Sequence, residues 1–214
     1  MIPLSDVDRR PVRFPIVTAV IIAVNCFVFV IELLKGPSFI LKWAFVPRAV
    51  ASGHNYINIF TAMFLHAGFL HIAGNMVYLW AFGPEIEDVM GRVRYIFFYL
   101  TGGLIAFLSY MVINLNSQVP SLGASGAIAA VMGAFLVTFP KDRIRTILII
   151  IIFVTITRIP AILLVGFWFF IQLFSEVGSI VTKQSGGIAY MAHIGGIIFG
   201  ILAAPFLEQR EKIV

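Results

Sequence analysis

Charge is the first thing this sequence lacks. Lysine, arginine, aspartate and glutamate make up 12% of its 214 residues, whereas 60% are hydrophobic and the mean hydropathy is +1.01. A soluble domain carries about 25% charged residues. This chain has too little polar surface to cover itself in water, which excludes a soluble protein and points to one membrane-embedded domain with several spans. Cysteine is nearly absent. The single Cys26 lies in an apolar run, so an intramolecular disulfide and a cysteine-based metal site are excluded. There is no H-E-x-x-H pattern, so a zinc hydrolase of that kind lacks its ligands. No internal repeat and no mid-span acidic or basic residue is seen, which weighs against a transporter. No small-residue cleavage site follows the polar N-terminus, so a cleavable signal peptide is not expected. The net charge of +5 calls for no nucleic acid, because basic residues of membrane proteins gather in cytoplasmic loops.

The apolar runs divide the chain. Residues 1–15 read as a cytoplasmic tail and 16–34 as a first span, broken by Thr18 and Asn25. Residues 35–58 form a long connection whose Trp43, Phe45 and Tyr56 suit a packed or interfacial segment. A second span lies within 59–86, followed by a charged turn over 85–94. A third covers 95–115, a fourth 125–139, a fifth 159–175 and a sixth 186–207, with a charged tail over 208–214. The apolar stretch 146–157 is too short to cross a core of ~30 Å as a helix, and its Ile, Val and Thr content suits an extended or interfacial loop. Six spans put both termini on one side. The tails and loops of that side hold eleven of the fifteen basic residues, which makes it the cytoplasmic side. The expectation is an all-α, multi-pass protein of the plasma membrane, with one domain over 16–207 between two cytoplasmic tails.

Polar groups inside spans are few, and such groups are usually functional. Ser125 sits between Gly123 and Gly126 at the entry of the fourth span, where helix N–H groups are free. An N-cap serine is the plain alternative there. His193 lies in the sixth span, and His71 and Asn75 share a face of the second at i, i+4 spacing. At a rise of ~1.5 Å per residue, Ser125 stands ~22 Å and His193 ~21 Å above the inner ends of their spans, with His71 and Asn75 at ~15–22 Å. Four polar groups from three spans thus fall at one depth. Small residues on the fourth span (Gly126, Ala129, Ala130, Gly133) and the sixth (Ala192, Gly195, Gly196, Gly200) allow close helix packing. A serine hydroxyl needs a base to become a nucleophile, and His193 as a neutral imidazole is the candidate. No carboxylate shares that depth, so the pair is a dyad rather than a triad. Asn75, His71 and the Ser125 backbone N–H are candidate oxyanion donors. His66 falls off the face of His71 and reads as structural, and the aromatic cluster of the fifth span reads as lipid-facing or packing.

The segments His66-Ala-Gly-Phe-Leu-His71-Ile-Ala-Gly-Asn75, Gly123-Ala-Ser125-Gly126 and Ala192-His193-Ile-Gly-Gly196, with Gly200 and Glu85-x-Glu87-x-x-x-Gly91-Arg92, resemble the rhomboid intramembrane serine proteases over the whole chain. The chain looks like the minimal six-span prokaryotic form of that family. The resemblance implies a six-helix bundle, Ser125 as nucleophile, His193 as general base, and His71, Asn75 and the Ser125 N–H around the oxyanion. It implies no cofactor and no metal. Its substrates are single-span membrane proteins cut in or near the transmembrane segment, entering from the lipid bilayer between the second and fifth spans. His66, Gly123, Gly126, Gly196 and Gly200 take structural places near the site. Two positions differ from many members: Ala129 stands where an aromatic residue packs under the histidine, and Trp43 is followed by Ala44 rather than arginine.

Overall fold

A computed structural model describes residues 1–150, 153–182 and 190–209, with side chains for all of these except 150 and 172–182. The chain is a helical membrane bundle: α1 (Ile16–Lys35), short helices α2 (Pro37–Trp43) and α3 (Pro47–Ala51), α4 (Asn58–Thr61), α5 (Phe69–Met90), α6 (Arg92–Ile113), α7 (Ser125–Thr138), α8 (Ala161–Thr182) and α9 (Tyr190–Leu207). By length and composition α1, α6 and α9 each qualify as spans, and α4 with α5 forms a pair bent by 91°. At 14 residues α7 is shorter, about 21 Å. It occupies the middle of the bundle, where Gly126 to Phe135 are all buried, so it meets helices rather than lipid on every side. The expected tail over 208–214, the start of the expected sixth span (186–189) and the end of the loop before it (183–185) lie partly or wholly outside the described residues.

The second span differs from its expectation. The expectation begins it at Ile59, yet the long helix starts at Phe69. Leu65 is extended, and the His66 N–H donates to the carboxylate of Glu32 on α1, at 3.1 and 3.2 Å, instead of to a carbonyl one turn back. A side chain from a neighbouring helix has taken the donor that would continue the ladder. At the other end, the expected charged turn is mostly helix: Glu85 and Glu87 are buried within α5, and the turn itself is Gly91, at φ +77°. Glu87 accepts the N–H groups of Val17 (3.0 Å) and Thr18 (2.7 Å) and the Thr18 hydroxyl (2.8 Å). The first turn of α1 has no side-chain cap of its own, so Glu87 supplies the negative charge that a helix N-terminus favours.

The tail and the 146–157 loop form a three-stranded antiparallel sheet. β1 (Ile2–Asp6) pairs with β2 (Arg143–Ile150), which pairs with β3 (Phe153–Pro160). Most of the extended loop is therefore a hairpin, residues 151–152 lying outside the described set, and the N-terminal tail is docked rather than free. Pairing of β1 with β2 places the N-terminus at the same end of the bundle as the end of α7. An Asp8–Arg143 ion pair at 2.6 Å and an Arg9–Asp142 pair at 2.6 Å pin the strand there.

Backbone-to-backbone packing of α7 on α9 sets the site. A Cβ on Gly196 would overlap the carbonyl of Gly126, one on Gly200 the carbonyl of Ala130, and one on Gly133 the carbonyl of Ile197. Gly126 also receives the methyl of Ala106 from α6. Without Cβ atoms at these crossings the two helices approach closely enough for short side chains to meet.

Candidate active site

Ser125 is the first residue of α7. Ala124 holds the cap position in αR geometry and no side chain caps the helix, so the serine hydroxyl is not spent as an N-cap. It meets His193 of α9 instead: Nε2 and Oγ are 2.6 Å apart. This is a strong hydrogen bond by length. Its geometry follows from the glycine crossing, since Gly126 and Gly196 are the contact points one residue after Ser125 and three after His193.

The loop entering α7 is tied at two places. Phe45, fully buried, exchanges both backbone hydrogen bonds with Ser121 (2.9 and 2.7 Å), and the Gly123 N–H donates to Ala62 O at 2.9 Å. Gly123 has φ +128°, a conformation that favours glycine. A Cβ there would also lie 3.0 Å from Cε1 and Nε2 of His71 and 3.6 Å from Ser125 Oγ. Glycine thus clears the space between the serine and the His71 ring.

His71 comes from the first turn of α5. Its Nδ1 accepts the Ala67 N–H at 3.2 Å, so a neutral ring carries its proton on Nε2, the atom beside Gly123. Asn75 follows one turn later, and its Nδ2 is buried with no hydrogen-bond partner among the described residues. Both line a cavity of about 730 Å³ together with Tyr78, Ser125, Trp168 and His193. An unpaired buried amide donor is uncommon and marks a place where an acceptor fits. The four polar groups expected at one depth therefore share one cavity.

Two contributors, Glu32 and Trp168, escape a reading of the sequence, whereas His66 is expected from it as a structural residue near the site. Glu32, buried on α1, holds the His66 backbone and so fixes the bend that starts α5. His66, also buried, lays its ring edge-on against His71, centroids 5.2 Å apart, and packs that ring from the side. Trp168 on α8 packs its indole on His193 at 5.3 Å and meets Tyr78 of α5 at 6.5 Å. The expectation of a lipid-facing or packing role did not place it beside the histidine.

Residues 53–210 match the model of the Rhomboid domain. The chain belongs to the rhomboid family. It is 28% identical over 200 residues to rhomboid protease GluP of Bacillus subtilis, covering 90% of this chain and 35% of that protein. It is 30% identical over 165 residues to the human mitochondrial presenilin-associated rhomboid-like protein (71% and 39% covered) and 27% over 179 residues to mitochondrial rhomboid protein 1 of Saccharomyces cerevisiae (79% and 48%). The chain spans about a third to a half of the length of these curated relatives. The matched segment contains α5 to α9 and every polar residue of the cavity, whereas α1 and β1 precede it.

Proposed function

We propose that this rhomboid protein is an intramembrane serine endopeptidase, cutting peptide bonds in or near transmembrane segments of single-span membrane proteins. The observation that carries the reading is the 2.6 Å contact between His193 Nε2 and Ser125 Oγ in a cavity that Asn75 also lines. His193 takes the hydroxyl proton as Oγ attacks the scissile carbonyl. The oxyanion that forms is met by the Ser125 N–H, free in the first turn of α7, and by His71 Nε2–H and Asn75 Nδ2. His193 then gives its proton to the leaving amine, and water releases the acyl group by the same route. Trp168 and the helix crossing hold the histidine ring. A substrate helix hides its peptide bonds in its own hydrogen bonds and must unwind locally before attack.

The basic residues beside β1, β2 and the end of α5 support a cytoplasmic placement of both termini in the plasma membrane. Residues 16–207 act as one protease domain. The test is cleavage of a transmembrane substrate by purified protein in liposomes, comparing wild type, Ser125→Ala and His193→Ala, with and without chelator. Both variants lose cleavage and chelation changes nothing. Cleavage that persists in Ser125→Ala overturns the mechanism.

A further inference from the structure

The hairpin of β2 and β3 has a polarity that the protease reading does not use. The run from Ile147 to Val154 contains no polar residue, whereas the base of the hairpin carries Arg143, Arg145 and Arg158. In the register of the strands, Arg145 stands directly opposite Arg158, Ile147 opposite Ile156 and Ile149 opposite Val154. These six residues therefore share one face. The apolar end is open: Ile149 is 50% exposed, Phe153 73%, Val154 67% and Ile156 65%. At the base the same hairpin is anchored, with Ile144 and Thr146 fully buried.

None of the described residues covers that end. Pro160 of β3 runs into Ala161 of α8 without a linker, so the hairpin leaves directly from the end of an apolar helix. Eight residues of strand reach ~27 Å, far enough to lie along the bilayer surface. An apolar hairpin held in water with an unpaired edge is a template for aggregation. The arginines say which part of the bilayer it meets. Like charges directly opposite one another on a sheet repel. Arg143 is neutralised by Asp8, whose charge reaches Arg158 more weakly, and no carboxylate pairs with Arg145 among the described residues. A phosphate between Arg145 and Arg158 relieves that repulsion. Among the described residues the outer edge of β3 has no strand beside it, which keeps the hairpin out of the hydrocarbon centre, where unpaired backbone groups are not tolerated.

We propose that this hairpin is a lipid-binding anchor. Ile149, Phe153, Val154 and Ile156 enter the headgroup–acyl boundary, and Arg145 and Arg158 bind the phosphates of anionic lipids. The inference stands whether or not the chain is a protease. It predicts a depth gradient along β3. The experiment places single nitroxide labels by Val154→Cys, Ile156→Cys and, as an aqueous reference, Ser52→Cys, each in a Cys26→Ala background of the full chain. The protein is reconstituted in phosphatidylglycerol–phosphatidylcholine vesicles. The label at 154 collides with oxygen and is shielded at least tenfold from a nickel chelate relative to the label at 52, with the label at 156 between them. Shielding at 154 weakens in pure phosphatidylcholine, and Arg145→Gln with Arg158→Gln removes the difference between the two lipids. A label at 154 as open to nickel as the one at 52 overturns the proposal. So does strong spin–spin coupling at 154 that fades on dilution with unlabelled protein, which assigns the face to a second copy. Equal shielding in both lipids overturns the phosphate role.

Discussion

The indole of Trp168 and the imidazole of His193 pack with centroids 5.3 Å apart and planes 45° from parallel. They come from different helices, α8 and α9, and on α7 the small Ala129 lies against Gly196 with no ring to offer. The orientation of the histidine is thus tied to the position of α8. Trp168→Ala should lower kcat by about 10- to 100-fold through misplacement of the base. KM should move less, and the rate of fluorophosphonate labelling of Ser125 should fall in parallel. Trp168→Phe, which keeps a ring at the site, should recover most of the loss. An unchanged labelling rate in Trp168→Ala would show that the indole does not position the base.

Gly123 is the next sensitive position. A Cβ there meets a φ of +128° and the His71 ring at 3.0 Å. Backbone strain of this kind is on the order of 1–3 kcal/mol. Gly123→Ala should reduce cleavage by more than tenfold and shift thermal unfolding only modestly, because the strain relaxes by displacing His71. Parallel measurement of activity and melting separates the two effects.

What was legible in the sequence followed from distance along a helix. Ser125, His193, His71 and Asn75 could be assigned to one depth from rise per residue, and the glycines of the fourth and sixth spans announced a close crossing. The break before α5 was not legible. The run from Ile59 to Leu65 is as apolar as a helix needs, and the interruption comes from Glu32, 34 residues upstream of His66. The short 146–157 segment could be excluded as a crossing helix, yet pairing of its base with Ile2 to Asp6 needs partners far apart in the chain. Trp168 sits among four consecutive aromatics, and only the rotation of α8 distinguishes the one that faces His193.

Glu87 should matter for stability rather than chemistry. Its carboxylate gathers three donors from the first turn of α1. Glu87→Gln keeps one acceptor oxygen and loses the charge, so about 2 kcal/mol of stability should go, in line with hydrogen bonds to charged groups. Unfolding in detergent reads this directly. At a temperature where the variant stays folded, its specific cleavage rate should match the wild type within about twofold, since an interaction at the far end of the bundle from Ser125 has no transition-state share.

Asp6 gives the sheet a pH dependence opposite to that of an ordinary ion-paired carboxylate. Burial, with Asp142 and Asp8 as further negative neighbours, pushes its carboxyl up to about 6, against the hydrogen bonds it accepts from the Asp8 and Arg9 N–H groups. Its second oxygen is buried without a partner. A carboxyl raised on folding stabilises fully below its unfolded value near 3.8, and that contribution is lost as pH rises through about 6. Asp8 works the other way: the Arg143 guanidinium holds it down to about 2, so its contribution is full above the unfolded value near 3.8 and is lost as the pH falls through about 2. Docking of β1 should therefore be tightest near pH 4 and looser at pH 7.5. Hydrogen exchange of residues 2–6, corrected for the intrinsic rate at each pH, measures it. Asp6→Asn, neutral at every pH, should flatten the profile and protect the strand more than wild type does at pH 7.5. Protection that instead rises with pH in the wild type would mean that Asp6 enters the fold charged.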